Sequence, residues 1–130
     1  MSEHMTDATG AATLGDYWPG IQLYYPPVKY APSLGIYEDM AQASARMKKH
    51  AHFTNAHTLI FDLEDGCRQK QMSRELLRQE LPGLRKINQH VTVALRVNSF
   101  RTAEYDLDME MVREMGEYID VIMLAKAGEA

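Results

Sequence analysis

Apolar residues recur along this chain in two alternating rhythms. Short apolar runs stand at Ile21–Tyr25, Thr58–Asp62, Val91–Val97 and Val121–Leu124. Runs of this length, rich in β-branched, aromatic and leucyl residues, predict strands. Between them apolar side chains fall at three- and four-residue steps, which predicts helices. The first spans about Gly35 to Lys49, with Tyr37, Met40, Ala41, Ser44, Ala45 and Met47 on its stripe and a start signal at Pro32-Ser33. The second follows Gly66 and carries Met72, Leu76, Leu77 and Leu81, with Leu81-Pro82-Gly83 read as its break. The third runs from about Ala103 to Tyr118, with Leu107, Met111, Val112, Met115 and Ile119 facing inward.

The order is β-α-β-α-β-α-β, and a step of roughly 30–35 residues per unit suits a right-handed βαβ crossover. The class is therefore α/β with a parallel sheet. Thr58–Asp62 is apolar on both faces, as a strand inside a helix-covered parallel sheet should be. Residues 1–20 lack periodicity and read as a flexible leader, leaving 21–130 as the domain. Two architectures meet this pattern: an open four-stranded sheet, or the first four strands of a (β/α)8 TIM barrel, which takes about 250 residues. No helix follows the last strand before Ala130, which favours the N-terminal half of a barrel. A half-barrel leaves strand edges and apolar faces bare, so a homo-oligomer or another partner is expected.

Composition narrows the class further. A chain of 130 residues can bury one real core and not two. The net charge of -4 leaves no basic footprint for nucleic acid, and no apolar run is long enough to span a membrane. Cys67 is the only cysteine, so no internal disulfide can form and a reducing, cytoplasmic setting is the expectation. The methionines fall mostly at helical spacing and read as core.

Candidate chemistry collects where the strands end, since parallel strands place those ends on one rim. The first strand gives Tyr25, Pro26 and Pro27, and the second gives Asp62, Glu64 and Asp65. The third gives Arg96 and Asn98, and the fourth gives Lys126. Carboxylates there can hold Mg²⁺ directly or through its waters. An arginine can hold a substrate carboxylate through two parallel hydrogen bonds. Each also has a plainer reading: acids that cap the next helix, Arg96 paired with an acid such as Asp65, and a solvated Lys126. Asp62 lies within the strand period, which makes it the acid expected to be structural. His50, His52 and His57 cluster before the second strand on the opposite rim and match no ligand motif. Cys67 sits beside carboxylates that disfavour its thiolate.

Three stretches in register carry a resemblance. Leu59-Ile60-Phe61-Asp62-Leu63-Glu64-Asp65, Leu95-Arg96-Val97-Asn98 and Ile122-Met123-Leu124-Ala125-Lys126-Ala127 resemble successive signatures of the HpcH/HpaI aldolase/citrate lyase family. The likeness is to its citrate lyase β-subunit and malyl-CoA lyase branch, and it covers about residues 21–130. It implies a Mg²⁺-dependent lyase or aldolase that makes or breaks a carbon–carbon bond between a 2-oxo acid and an acyl-CoA. Arg96 would grip the oxo-acid carboxylate. Glu64 and Asp65 would hold metal-bound water and orient Arg96, with Asp65 part of the catalytic set, and Lys126 would contact substrate at the rim. The first strand departs from the family turn, with Tyr25-Pro26-Pro27-Val28-Lys29 in place of Val-Pro-Gly or Val-Pro-Ala. The family's direct metal ligands come from later strands, so residues 1–130 alone are expected to bind Mg²⁺ poorly and to turn over no substrate. Two other functions fit the same residues: a non-catalytic half-barrel module that assembles with a partner subunit, and a pyruvate-type aldolase that uses no CoA.

Overall fold

The computed structural model of the chain describes residues 20–64 and 67–124. Along them run β1 (Gln22–Tyr25), β2 (Tyr30–Ala31), β3 (Ile36–Tyr37), α1 (Met40–Phe53), β4 (Thr58–Asp62), α2 (Lys70–Ile87), β5 (Thr92–Arg96), α3 (Ala103–Met115) and β6 (Val121–Met123). A 3₁₀ turn at Gly116–Tyr118 joins α3 to the last strand. The expected leader lies outside the described residues, apart from Gly20. No described helix is long and apolar enough to cross a membrane.

β1, β4, β5 and β6 form one sheet in that order, and every pairing is parallel. Spatial order thus follows chain order without reversal. α1 lies against α2, and α2 against α3, so the three helices share one layer. Register then decides which side chains meet that layer, because successive residues of a strand face opposite ways. Tyr25, Phe61, Leu95 and Ile122 lie in one row, and Leu59 and Val93 in the next. They pack with Met47, Leu76, Leu77 and Met111 from the helices. Fully burying a leucine or phenylalanine contributes about 1.5–3 kcal/mol, so this interface holds the sheet to its helices. The other face carries Tyr24, Ile60, Ala94 and Val121 in one row, then Asp62, Arg96 and Met123 toward the strands' C-terminal ends.

α1 begins later than its periodicity predicts. Asp39 caps it: the Asp39 carboxylate accepts from the Gln42 N–H at 2.8 Å, and the Gln42 side chain accepts from the Asp39 N–H at 3.0 Å. This reciprocal pair is a strong helix start. The residues expected to open the helix form the β2–β3 hairpin instead. Gly35 takes φ +69° in its turn, and the N–H groups of Leu34 and Gly35 both donate to the Ala31 carbonyl. Tyr37 therefore pairs with Tyr30 across the hairpin rather than lying on a helical stripe.

α2 does not end at Pro82. It continues to Ile87, although proline cannot donate to the Arg78 carbonyl. Leu81 and Leu84 on either side of it are both buried, and that burial outweighs the local penalty. A Cβ at Gly83 would meet nothing within 4 Å. Gly83→Ala is expected to raise stability by about 0.5–1 kcal/mol by restricting the unfolded chain, checked by its denaturation midpoint. From α3 into the turn after it, the inward stripe holds at Met111, Val112, Met115 and Ile119 and departs from expectation at one position. Leu107 is 39% exposed while Asp108 takes the buried place beside Met111.

Tyr25 ends β1 with its ring in the core, 5.6 Å from Phe61 and 4.9 Å from His50. Its hydroxyl is buried and has no hydrogen-bond partner among the described residues. Burial pushes that phenol up from 10.0 to about 12, opposed by the nearby Arg46 charge. The folded value lies above the unfolded one, so the unfolded chain ionises first. Stability is then fully present below pH 10 and falls as pH rises toward 12. Tyr25→Phe is expected to gain about 1 kcal/mol by removing an orphan hydroxyl. It should also flatten this alkaline loss, which denaturant midpoints on either side of pH 10 would show.

Candidate functional site

Asp62 and Arg96 stand opposite each other in the β4–β5 register, on the sheet face away from the helices. Arg96 Nε donates to Asp62 Oδ1 at 3.1 Å and Nη2 to Oδ2 at 2.8 Å. This is a two-point fork, the strongest geometry an arginine and a carboxylate can make. Asp62 Oδ1 also accepts the Glu64 N–H at 3.0 Å, which fixes the carboxylate from the loop side. Glu64 itself lies 3.7 Å from Arg96 Nη1, and the guanidinium sits 5.3 Å over the Tyr24 ring. Hydrogen bonding to Asp62 raises the Arg96 pKa further above its ordinary value. The expectation that Asp62 is a structural, hydrogen-bonded acid holds. Among the described residues Asp62 orients the arginine, with Glu64 a more distant neighbour.

Behind this pair lies a second set of charges that periodicity did not single out. Lys70 opens α2 and its ammonium donates to the Leu63 carbonyl (2.7 Å), the Glu64 carbonyl (3.1 Å) and Asn98 Oδ1 (2.9 Å). Asn98 turns inward and donates from both its backbone N–H and its side-chain amide to Asp108 Oδ2, each at 2.7 Å. Asp108 Oδ1 accepts from Arg74 Nη1 at 2.9 Å, and Arg74 also pairs with Glu104. Arg74 and Asp108 are almost wholly buried. Asn98 is therefore an anchor between strand end and helices rather than a rim group facing a substrate. The strand ends that carry Glu64 and Arg96 are both tied to this network. Its signal in the sequence is a charged residue on an otherwise apolar helical stripe: Arg74 beside Leu77 and Leu81, and Asp108 beside Met111.

Asp65 and Lys126 lie outside the described residues. The three histidines do not converge. His57 Nδ1 accepts from the Ile21 N–H, His50 packs on Tyr25, and His52 meets Phe53. Among the described residues no group of three His, Cys, Asp or Glu side chains is placed to hold a metal. Asp62 commits both oxygens to Arg96, which leaves Glu64 alone at this edge as a described carboxylate. A single carboxylate suits one place beside a Mg²⁺ ion or a hydrogen bond to a metal-bound water. Burial pushes the Cys67 thiol up, and Asp62 and Asp108 add to that against the Ser73 contact and the Lys70 charge. A nucleophilic thiolate is disfavoured there.

The described geometry offers one fixed, partly exposed guanidinium on the sheet face away from the described helices, backed by a buried polar scaffold. Comparison of the sequence with models of known protein families gives no match, and comparison with curated proteins gives none either.

Proposed function

We propose that this chain forms half of a (β/α)8 barrel of a carbon–carbon lyase or aldolase acting on a 2-oxo acid and an acyl-CoA. In that reading Arg96 grips the oxo-acid carboxylate. The observation that supports it most is the Asp62–Arg96 fork, set on the face away from the described helices at the C-terminal edge of a parallel sheet. Barrel enzymes place their chemistry at that edge. Strand order supports the barrel too: it follows chain order, with all three helices on one layer, whereas doubly wound sheets reverse direction partway.

The described residues divide the work by position. Asp62 holds the guanidinium plane, so a bound carboxylate meets a cation that needs little reorganisation. Tyr24 flanks that cation and shields one side of it from water. Lys70, through the Leu63 and Glu64 carbonyls, keeps the β4 loop at the height of Arg96. Mg²⁺, where it takes part, supplies Lewis-acid polarisation of the oxo group. Glu64 would accept a hydrogen bond from the ion's water, with direct ligands from outside the described residues. Asp65 would assist in orienting Arg96, and Lys126 would contact substrate at the rim. A cytoplasmic homo-oligomer is the proposed setting.

A second reading, a half-barrel that works by assembling with a partner subunit, draws on one observation. Ile21, Leu23 and Tyr24, at and just before the β1 edge, are 61%, 38% and 48% exposed. Calorimetric titration with pyruvate, glyoxylate and oxaloacetate, with Mg²⁺ present and the chain joined to the later strands that would supply the direct metal ligands, separates the two. The lyase reading expects saturable binding of at least one of them. If none binds, the enzyme reading fails and the assembly reading stands.

A further inference from the structure

The loop from β1 to α1 encloses a cleft of about 690 Å³ that the Asp62–Arg96 pair does not use. Pro26 and Pro32 line it, together with the rings of Tyr30 and Tyr37. Those rings stand edge to face, with centroids 5.0 Å apart at 62°. The hairpin fixes them, because Tyr30 and Tyr37 are paired in the β2–β3 register. Val28, Lys29 and Arg68 complete the lining, Arg68 arriving from the stretch between β4 and α2. Neither cation has a carboxylate within ion-pair distance among the described residues.

The acid on the same loop is already balanced. Glu38 accepts the Lys29 backbone N–H at 2.9 Å, and both its oxygens are held by Arg46 at 2.7 and 2.8 Å. The cleft therefore keeps the Arg68 cation, without an ion-pair partner among the described residues, and the Lys29 ammonium, whose charge also reaches Glu38, beside a rigid aromatic wall. Cations of this kind select an anion. Tyrosine rings select a flat apolar partner by edge-to-face or offset contact. The volume falls within the range of about 300–1,000 Å³ typical of small-molecule sites.

We propose that this cleft binds a single planar aromatic ring carrying an anionic substituent. The ring lies against Tyr30 and Tyr37, and the anion lies between Lys29 and Arg68. The proposal stands independently of the lyase reading, since neither Arg96 nor Asp62 takes part.

The test is titration of the protein with phenyl phosphate, inorganic phosphate and phenol, followed by calorimetry. Phenyl phosphate is expected to bind about tenfold more tightly than either fragment, because only it satisfies both halves of the cleft. Tyr30→Phe should keep that advantage and Tyr30→Ala should lose it. Arg68→Gln and Lys29→Gln should each weaken phenyl phosphate several-fold and leave phenol unchanged. Tyr30 is 44% exposed, and both cations lie on the surface, so these variants should remain folded. Benzoate, run alongside, shows whether the preferred anion is a carboxylate or a phosphate. Equal binding of phenyl phosphate and inorganic phosphate would overturn the proposal. So would no saturable binding of phenyl phosphate, or binding that Arg68→Gln leaves unchanged.

Discussion

Asp108→Ala is expected to destabilise the protein by about 3–5 kcal/mol, the cost of breaking a buried ion pair from one side. Asp108 is wholly buried, and its partner Arg74 is 2% exposed. Removing the carboxylate takes from the buried guanidinium its one fully buried counter-ion, leaving it Glu104 and Gln71, and leaves both the backbone N–H and the side-chain amide of Asn98 without their acceptor. Glu104 cannot take over: it is 40% exposed and reaches only Arg74, not Asn98. Asp108→Asn should fall between wild type and alanine, since an amide oxygen can still accept from Asn98 but brings no charge. Denaturant midpoints of the two variants measure the difference. Replacing Arg74 by Met in the Asp108→Leu background should recover much of the loss, because well-packed apolar substitutes for a buried pair are often neutral or better. A loss below about 1 kcal/mol in Asp108→Ala would mean that water reaches this site, because an exposed ion pair contributes no more than that.

The same network explains what was legible beforehand. β4 at Thr58–Asp62 and the core of β5 read directly from the sequence, because a strand covered by helices is apolar along its whole length. Asp62 was identifiable as structural because it falls within that strand's period. The hairpin at β2–β3 was hidden. Pro32-Ser33 serves a turn as well as a helix start, and only the Asp39–Gln42 capping box decides between them. Pro82 misled in the opposite direction, since local propensity cannot report that Leu81 and Leu84 are held by the core on both sides of it. Asn98 was placed on the rim by its position one residue past Val97. Its real direction depends on Asp108, ten residues on, and on Lys70 across the loop. A polar residue at a strand end can face a substrate or face the helices. Sequence spacing alone does not distinguish the two.

Arg96→Lys is the corresponding test of the rim. If the proposed function is right, the change should cost about 2–4 kcal/mol of substrate or transition-state binding, through loss of a bidentate charged contact. Lysine keeps the charge but replaces a planar fork with a single rotatable ammonium, so it cannot hold Asp62 at two points and a substrate carboxylate as well. Binding of pyruvate, glyoxylate or oxaloacetate should then weaken by roughly 30- to 1,000-fold, as should kcat/KM for carbon–carbon cleavage in the assembled enzyme. Folding should change far less. Arg96 and Asp62 have side chains 23% and 13% exposed, so a lysine can remain partly solvated while it pairs with Asp62. A large fall in binding with a small fall in stability marks Arg96 as a residue that meets substrate. Equal falls in both would make the Asp62–Arg96 fork a strand-end clamp, with a role like that of Asn98 and Asp108. Unchanged oxo-acid binding would remove Arg96 from the site altogether.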